Sequence, residues 1–465
     1  MKDVLLFVLL GLGAGAVIAG IAMAVVVTYR GSGIINLATG AVSMVAAYAF
    51  WAFRTDEFGF TLATGPAVVV TLLAAILVGV LSEVLVFRPL RTSSPLAKLV
   101  ASLGILLILQ ATVLLWFGSA SKQIPNVFPT DILEIFDASI PANRFWMAGV
   151  VVVIAIALTA LFRWTRFGLA TRAAAENEVF AMLAGLSPNQ LSMANTVLAS
   201  ALAGAMGIIA APLAQANSTT LVLFIVPALA AALFAGFTSL SIALLAGFGI
   251  GIGQSLMTYV TTLPWFPTDR GNPLPGTQAL LTFILLVFAL SLRGASLPTR
   301  GELVEKRLPN APRPGRLAGP AAGLAIAGAV LLIVLPFGYR QSLMVSLVGM
   351  VVCLSLVVIT GFVGQVSLVQ VTLAGVSGFV VSHLIVDAGV GFPWGPLAGS
   401  VAGVVVGLIV GASALRVRGV SLAVVTLAGV VAIEQFGFAN SRWGAGPSGS
   451  PVAQPTLFGV DLGTT

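Results

Sequence analysis

The run VLLFVLLGLGAGAVIAGIAMAVVVT, residues 4–28, contains no charged side chain. An α-helix of about 20 apolar residues is long enough to cross the ~30 Å hydrocarbon core of a bilayer. The run is also longer than the ~7 to 15 apolar residues of a typical secretory signal. It therefore predicts a retained first membrane span rather than a cleaved leader.

Apolar runs of this kind recur along all 465 residues. Hydrophobic residues make up 58% of the chain and charged residues only 8%, whereas about a quarter of the residues in soluble domains are charged. The sequence thus predicts an all-α polytopic membrane protein. We expect about fourteen spans, at about 4–28, 33–53, 62–87, 99–118, 144–163, 189–213, 221–237, 238–260, 277–292, 317–337, 342–362, 364–386, 397–415 and 420–438.

The positions of lysine and arginine predict the orientation of these spans, because basic residues accumulate in cytoplasmic loops. With the N-terminus outside, 15 of the 22 basic residues fall on the cytoplasmic side. This topology explains the formal charge of +7, so we expect no nucleic acid partner. The cytoplasmic residues are Arg30, Arg88, Arg91, Lys98, Arg163, Arg166, Arg172, Arg293, Arg300, Lys306, Arg307, Arg313, Arg316, Arg416 and Arg418.

One basic, proline-rich segment, RGASLPTRGELVEKRLPNAPRPGR at 293–316, contains no long apolar run. Such a composition is typical of a linker. We therefore divide the chain into three parts. A first membrane unit, residues 1–292, has about nine spans. The cytoplasmic linker 293–316 follows, and then a second unit, residues 317–465, with about five spans.

The two membrane units resemble each other in sequence. GIINLATGAVSMVAAY, residues 33–48, aligns without gaps with GQVSLVQVTLAGVSGF, residues 364–379, and Asn36 then faces Ser367. In each unit a span, a basic turn and a further span follow in the same order. Both copies run the same way through the membrane, which predicts a parallel duplication, an arrangement known in transporters.

A solute pathway needs polar groups within the bilayer, and these are few. The candidates lie beside glycines in segments that resemble interrupted helices, where irregular backbone is tolerated mainly if it lines a cavity or is buried in protein. The alternative is that they form hydrogen bonds between packed helices. The candidate pathway residues are Asn36, Thr39 and Ser43 in the first copy, and Gln365, Ser367, Gln370 and Thr372 in the second.

Two further candidates, Gln110 and Glu434, occupy matching places in the two copies. Each lies eight residues after the residue that opens its span, Ser102 in the first copy and Thr426 in the second. A carboxylate within a membrane span is a candidate functional group. Because Gln110 cannot titrate, a proton relay through Glu434 is the minor alternative.

The sequence offers no constellation for catalysis, a metal or a cofactor. It has one histidine, His383, with no Cys or second His near it in sequence, and one cysteine, Cys353, which lies inside an apolar run. No Gly-Lys dipeptide exists, so no P-loop can form. The glycines of GFGIGIG, residues 247–253, include a Gly249-to-Gly253 pair within an apolar span, which favours helix packing over nucleotide binding. We predict a protein that is not an enzyme.

The stretch TRFGLATRAAAENEVFAMLAGLSPNQ, residues 165–190, is polar and helix-forming, and it follows an outside-to-inside span. We expect a short cytoplasmic helix whose exposed Arg172 lies beside an apolar patch of Val179, Phe180 and Met182, together with Leu183. Gly185 should end this helix in a left-handed cap. Such a patch suits either the membrane surface or a groove on a partner.

The same stretch resembles the coupling loop of ABC importer permeases, whose Glu-Ala-Ala-x-x-x-Gly pattern seats in a cleft of a separate ATPase. Here Ala181 and Gly185 match the pattern, and Val179 and Phe180 replace the Glu and the first Ala. The resemblance implies that Arg172, Val179, Phe180, Ala181, Met182 and Gly185 contact the ATPase.

More specifically, the chain resembles the membrane subunits of the branched-chain amino acid ABC importer. The motifs are Gly33-Ile-Ile-Asn36-Leu-Ala-x-Gly40, Arg88-Pro-Leu-Arg91, Thr165-Arg-Phe-Gly-x-Ala-x-Arg172-Ala, Gly361-x-x-Gly364-Gln365-x-Ser367-Leu368, Ala414-Leu-Arg-Val-Arg-Gly419 and Val425-Thr-Leu-Ala428. Residues 1–292 resemble one subunit and residues 317–465 the start of the other. The expectation is a fusion whose second unit is incomplete.

This resemblance implies a permease for branched-chain or related small amino acids in the bacterial plasma (inner) membrane. Cytosolic ABC ATPase subunits would drive it, and an extracytoplasmic solute-binding protein would deliver the solute. A second permease chain or a homo-oligomer would be a further partner. Thr39 and Gln370 stand where the family often has histidine. Related permeases for urea, amides or aromatic acids, and an ion-coupled secondary transporter using Glu434, are the alternatives.

Overall fold

The fold is described from a computed structural model. It covers residues 2–91, 93–135, 138–214, 217–269, 272–293, 318–362, 365, 367–414, 420–440, 452, 456–457 and 460–461. Within these residues the chain is almost wholly helical, and nine helices are long and apolar enough to cross a membrane. Four shorter apolar helices accompany them. The predicted all-α polytopic membrane fold is confirmed.

Twelve helices form the first unit. They are α1 (Lys2–Ser32), α2 (Thr39–Arg54), α3 (Thr64–Ser82), α4 (Pro95–Phe117), α5 (Asn143–Trp164), α6 (Arg166–Glu176), α7 (Glu178–Leu183), α8 (Pro188–Ala214), α9 (Ser218–Leu223), α10 (Ile225–Phe234), α11 (Leu240–Thr261) and α12 (Thr277–Arg293). A π-helical turn, Glu83–Phe87, extends α3. Two antiparallel hairpins connect helices: β1 (Ile132–Ile135) with β2 (Ala138–Pro141), and β3 (Thr268–Asp269) with β4 (Asn272–Pro273).

The second unit contributes five helices to the described residues. They are α13 (Ala318–Val334), α14 (Phe337–Val357), α15 (Gln370–Ala388), α16 (Trp394–Ala414) and α17 (Val420–Ala432). π-Helical turns at Val358–Phe362 and Ile433–Phe438 extend α14 and α17. A short hairpin pairs β5 (Thr456–Leu457) with β6 (Val460–Asp461). Residues 294–317, which hold nearly all of the predicted linker, and the basic turn 416–418 lie outside the described residues.

Helix α1 lies at the centre of the first unit. Its residues 15–28 are buried, and it packs against α5, α8, α10 and α11. The backbones of α1 and α11 approach closely, because a Cβ at Gly251 would overlap Gly15 and a Cβ at Gly247 would overlap Ala19. Small residues allow such contact between membrane helices.

The predicted role of GFGIGIG in helix packing is therefore observed, but in a different register. Gly247 and Gly251 face α1, whereas a Cβ at Gly249 would meet no atom within 4 Å. The second glycine of the predicted pair, Gly253, faces Leu281 of α12. The two glycines that contact α1 are four residues apart, as predicted, but they are Gly247 and Gly251 instead of Gly249 and Gly253.

The second unit contacts the first mainly through α17, which packs against α10 and α12 and touches α4. Several buried residues of α17, among them Leu422 and Val425, belong to the same apolar core as α1. By contrast, no residue of α13 or α14 is buried. The described part of the chain therefore has one dense helical core, with α13 and α14 at its periphery.

Candidate substrate pathway and coupling surface

A short non-helical segment, residues 33–38, joins α1 to α2 and carries the first candidate pathway residues. The Oδ1 of Asn36 accepts a hydrogen bond from the Ala38 N–H at 3.0 Å, and the Asn36 carbonyl accepts one from Thr39 Oγ1 at 2.9 Å. The Leu37 N–H donates to Ser102 Oγ on α4 at 3.3 Å. Asn36, Thr39 and Ser43 are all buried.

The second copy repeats this arrangement at the aligned positions. The Leu368 N–H donates to Thr426 Oγ1 at 3.2 Å, as Leu37 does to Ser102. The Val369 N–H approaches Ser367 Oγ at 3.5 Å. Helix α15 begins at Gln370 and α2 at Thr39, which are aligned residues in the two copies. These matching bonds and helix starts support the proposed parallel duplication.

The second copy differs from the first in having a half-open cavity of about 450 Å³. Both amide atoms of Gln370 are buried there and have no hydrogen-bond partner among the described residues, although buried polar groups in proteins are normally paired. The cavity is bounded by α14, α15, α16 and α17, and none of the described residues that line it is charged. They are Ser355, Ile359, Gln365, Ser367, Val369, Gln370, Leu373, Gly407, Val410, Gly411, Leu422 and Thr426.

The corresponding region of the first copy is filled by α9 and α10. A Cβ at Gly40 would lie 2.8 Å from the Val222 carbonyl oxygen and 2.9 Å from Ile225 Cβ. The residue aligned with Gly40 is Val371, whose side chain is exposed. The two sets of candidate pathway residues are therefore in different environments, one closed by packing and one open.

Three other predicted pathway residues do not line this cavity. Thr372 is buried on α15, Gln110 is half-buried on α4, and Glu434 is exposed in the π-helical turn after α17. Sequence reasoning placed Thr426 in the repeat but did not name it as a site residue. It also missed Gly407 and Gly411, which gave no chemical signal because they contribute only space.

The predicted cytoplasmic helix is two helices, α6 and α7, separated at Asn177. The Oδ1 of Asn177 accepts hydrogen bonds from the backbone N–H groups of Val179 at 3.0 Å and Phe180 at 3.1 Å. Gly185 has a φ of 81°, the left-handed conformation expected of it. The Leu186 N–H donates to the Ala181 carbonyl at 3.0 Å and completes the cap.

The apolar patch of α7 is exposed, as its sequence predicts. Val179, Phe180, Met182 and Leu183 form this patch, and the Phe180 and Leu183 side chains are 69% and 77% accessible to solvent. Arg172 on α6 is also exposed, whereas Ala181 is buried against the protein. Helix α7 thus presents its apolar side chains away from the bundle.

Polar contacts join the coupling surface, which consists of α6 and α7, to the rest of the bundle. The sequence did not reveal these contacts. Arg91 forms a salt bridge with Glu178 of α7 and a hydrogen bond with Asn189 of α8. Asn195 of α8 donates to Thr171 Oγ1 of α6 at 3.3 Å. Glu83, in the π-helical turn after α3, accepts hydrogen bonds from α8. Within the described residues, no cluster of three His, Cys, Asp or Glu side chains forms a metal site.

Residues 7–290 match the family model described as branched-chain amino acid transport system / permease component. The chain is 28% identical over 294 residues to the high-affinity branched-chain amino acid transport system permease protein LivH of Escherichia coli K12, covering 61% of this chain and 93% of that protein. It is 27% identical to the probable LivH of Methanocaldococcus jannaschii, over 51% and 76% of the two chains. It is also 27% identical to BraD of Pseudomonas aeruginosa, over 53% and 83%.

No solved structure matches the chain. The family match spans more than half of the 465 residues and includes α1, the coupling surface and the α1–α11 contact. The chain therefore belongs to the family of branched-chain amino acid ABC transport permeases.

Proposed function

We propose that this permease carries branched-chain or related small amino acids inward across the bacterial plasma membrane. Cytosolic ATPases would dock on α6 and α7, and an extracytoplasmic binding protein would supply the solute at the opposite face. The N-terminus would lie outside. The observation that carries the proposal is the exposed apolar patch of α7, held by an asparagine cap and a left-handed glycine.

The surroundings of that patch favour a protein partner over the lipid surface. Helix α7 is only six residues long, and such a short helix is not stable in isolation. Here it is held in place by the salt bridge between Arg91 and Glu178 and by the buried Ala181. A preformed apolar surface of this kind is what a groove on another subunit can bind without ordering a flexible segment.

The charge distribution supports the proposed orientation. Arg30, Arg91 and the coupling helices share one end of the bundle: Arg30 donates to the Thr238 carbonyl and lies 5.3 Å from the Phe162 ring centroid. Basic residues favour the cytoplasmic face. Arg30 lies at the C-terminal end of α1. If the ATPase binds at this end of the bundle, the N-terminus of α1 lies on the opposite side of the membrane.

The cavity of the second copy supports a solute without net charge. The described residues of its lining offer hydroxyl and amide groups beside apolar side chains, and none of them supplies a counter-charge for a cation or an anion. A net charge in such a site would be costly to desolvate. The zwitterion of an apolar amino acid suits it, because an ammonium group can donate to Gln370 Oε1 while a carboxylate accepts from its Nε2.

The unpartnered Gln370 amide also favours a second candidate substrate class, the small amides and urea, since an amide can pair with an amide. An ion-coupled mechanism through Glu434 has less support, because that carboxylate is exposed and lies outside the cavity.

The proposal that the cavity is the solute pathway can be tested by filling the cavity with a larger side chain. Gly411 lines it, and a Cβ at this position would meet no atom within 4 Å. Gly411→Leu should therefore fold normally but occupy the solute space. We expect at least a tenfold loss of ATP-dependent uptake of radiolabelled leucine in proteoliposomes that also contain the ATPases and the binding protein.

The matched control is Gly349→Leu on α14, which is equally free of steric contacts and does not line the cavity. Uptake by this variant should stay within about twofold of the unmodified protein. Wild-type uptake by Gly411→Leu would exclude the cavity as the pathway. If the unmodified protein instead accumulates urea and no amino acid, the amide class replaces the amino acids.

A further inference from the structure

The end of α3 places an acidic side chain inside the bundle, at the first residue of the π-helical turn. The Arg88 N–H donates to the Glu83 carbonyl at 2.8 Å, a five-residue spacing that defines the π turn. The extra residue of such a turn changes the face on which the following side chains lie, and π turns often occur at functional sites. Glu83 is the first residue of the turn and lies four residues after the buried Gly79 of α3, and it is itself buried, with 5% of its surface accessible.

The Glu83 carboxylate is held by two hydroxyl groups of α8. Its Oε1 accepts from Ser192 Oγ at 2.6 Å, and its Oε2 accepts from Thr196 Oγ1 at 2.9 Å. Among the described residues no lysine or arginine forms a salt bridge with Glu83. Each carboxylate oxygen is thus tied to the first turns of α8, the helix that directly follows the coupling helix α7.

A second connection lies eight residues further along the chain. Arg91 binds both Glu178, the first residue of α7, and Asn189, in the first turn of α8. The pair between Arg91 and Glu178 is partly exposed, with 30% and 47% of the side chains accessible. Exposed ion pairs contribute little to stability, so this contact fixes the position of α7 more than it stabilises the fold.

Towards the middle of the membrane, α8 lies in close contact with α3 and α2. A Cβ at Gly204 would lie 2.6 Å from Ala75 Cβ, and a Cβ at Gly79 would overlap Ser200. A Cβ at Gly207 would overlap the Ser43 backbone of α2. Close-packed contacts of this kind transmit displacement because they leave no free space.

We propose that Glu83 is the positioning residue that couples ATPase-driven movement of α7 to the membrane helices. Through its two bonds to α8 and the Arg91 contacts, the cytoplasmic end of α3 moves together with α7 and α8. The displacement then reaches α2 through Gly207 and Ser43. This inference rests on the proposed function, since it assumes an ATPase bound to α7.

The test is the number of ATP molecules hydrolysed per leucine transported, measured with the complete reconstituted importer. Glu83→Leu keeps the side-chain size and removes both bonds, and we expect the ratio to rise at least tenfold, with hydrolysis maintained. Glu83→Gln can still accept from one hydroxyl and donate to the other, so its ratio should stay within about twofold of the unmodified protein.

The control is Ser82→Ala, the neighbouring hydroxyl, whose one bond within the described residues is to the Val78 carbonyl of its own helix. It should leave the ratio unchanged, whereas Thr196→Val should raise it. A normal ratio in folded Glu83→Leu would overturn the inference, as would a defect in Glu83→Gln equal to that of Glu83→Leu. Failure of the unmodified importer to transport leucine with ATP would instead refute the proposed function.

Discussion

At the scale of single residues, the polar side chains predicted to contact the solute fall into two groups. Asn36 and Thr39 bond within their own loop, while Gln370 faces a cavity with an unpaired amide. The aligned sequences could not separate these cases. The difference arises from Val222 and Ile225, distant in sequence, which pack against Gly40 in the first copy only.

Sequence reasoning was more successful with the coupling surface, because its signals are local. The apolar residues at 179, 180, 182 and 183 are read from one short stretch and are exposed, and the glycine at 185 has the left-handed conformation expected of it. The contacts of Glu83 with Ser192 and Thr196 could not be predicted. They depend on packing between α3 and α8, which are distant in sequence.

The asparagine cap of α7 provides a test of docking at this scale. Replacement of an N-cap asparagine by alanine costs a helix about 1 kcal/mol. Asn177→Ala should therefore loosen α7 and weaken ATPase binding by about fivefold, the change in affinity that 1 kcal/mol produces. The measurement is the dissociation constant of the purified ATPase from the permease in nanodiscs.

Asn217→Ala is the control, since Asn217 caps α9 through the same two bonds, to the Thr219 and Thr220 N–H groups. It lies outside α6 and α7 and should leave ATPase affinity unchanged. Equal affinity of Asn177→Ala and the unmodified protein would show that the ATPase does not require a preformed α7.

At the scale of helices, about fourteen spans were predicted, whereas nine helices in the described part of the chain are long and apolar enough to cross a membrane and four more are shorter. Two differences from the prediction have physical causes. The predicted span 221–237 is divided into α9 and α10 because Pro227, which has no N–H to donate, lies in the first turn of a new helix. The predicted helix within 165–190 is divided at Asn177, whose side chain bonds to the backbone in place of helix continuation.

The crossing of α1 and α11 gives a test at this scale. Gly251→Ala introduces a methyl group that would overlap the Gly15 backbone. Overpacking of this kind costs about 1–3 kcal/mol, so the variant should unfold at a lower temperature in detergent. Gly249→Ala, on the same helix but without contacts within 4 Å, should be unchanged or slightly more stable because alanine favours helix. Equal melting temperatures for the two variants would contradict the close crossing.

At the scale of the whole molecule, matching hydrogen bonds add to the sequence resemblance on which the proposed duplication rests. The bonds from Leu37 to Ser102 and from Leu368 to Thr426 join equivalent elements. The surroundings of the two copies nevertheless differ: α1 is buried by four helices, whereas α14, which precedes the second loop, has no buried residue. A repeat visible in sequence therefore predicts local geometry but not burial, which depends on the helices that follow each copy.

The direction of the two copies and the orientation of the chain can be tested together by cysteine labelling. With Cys353→Ser as background, single cysteines are placed by Phe60→Cys after α2, Gly391→Cys after α15, and Phe180→Cys on α7, all at exposed positions. A parallel duplication puts residues 60 and 391 on one face, and the basic-residue distribution puts residue 180 on the cytoplasmic face. A membrane-impermeant maleimide should therefore label positions 60 and 391 in intact cells and position 180 only after the membrane is disrupted.

Labelling of 391 only after disruption, with 60 labelled in intact cells, would mean that the copies are inverted. The reverse pattern at all three positions would place the N-terminus in the cytoplasm.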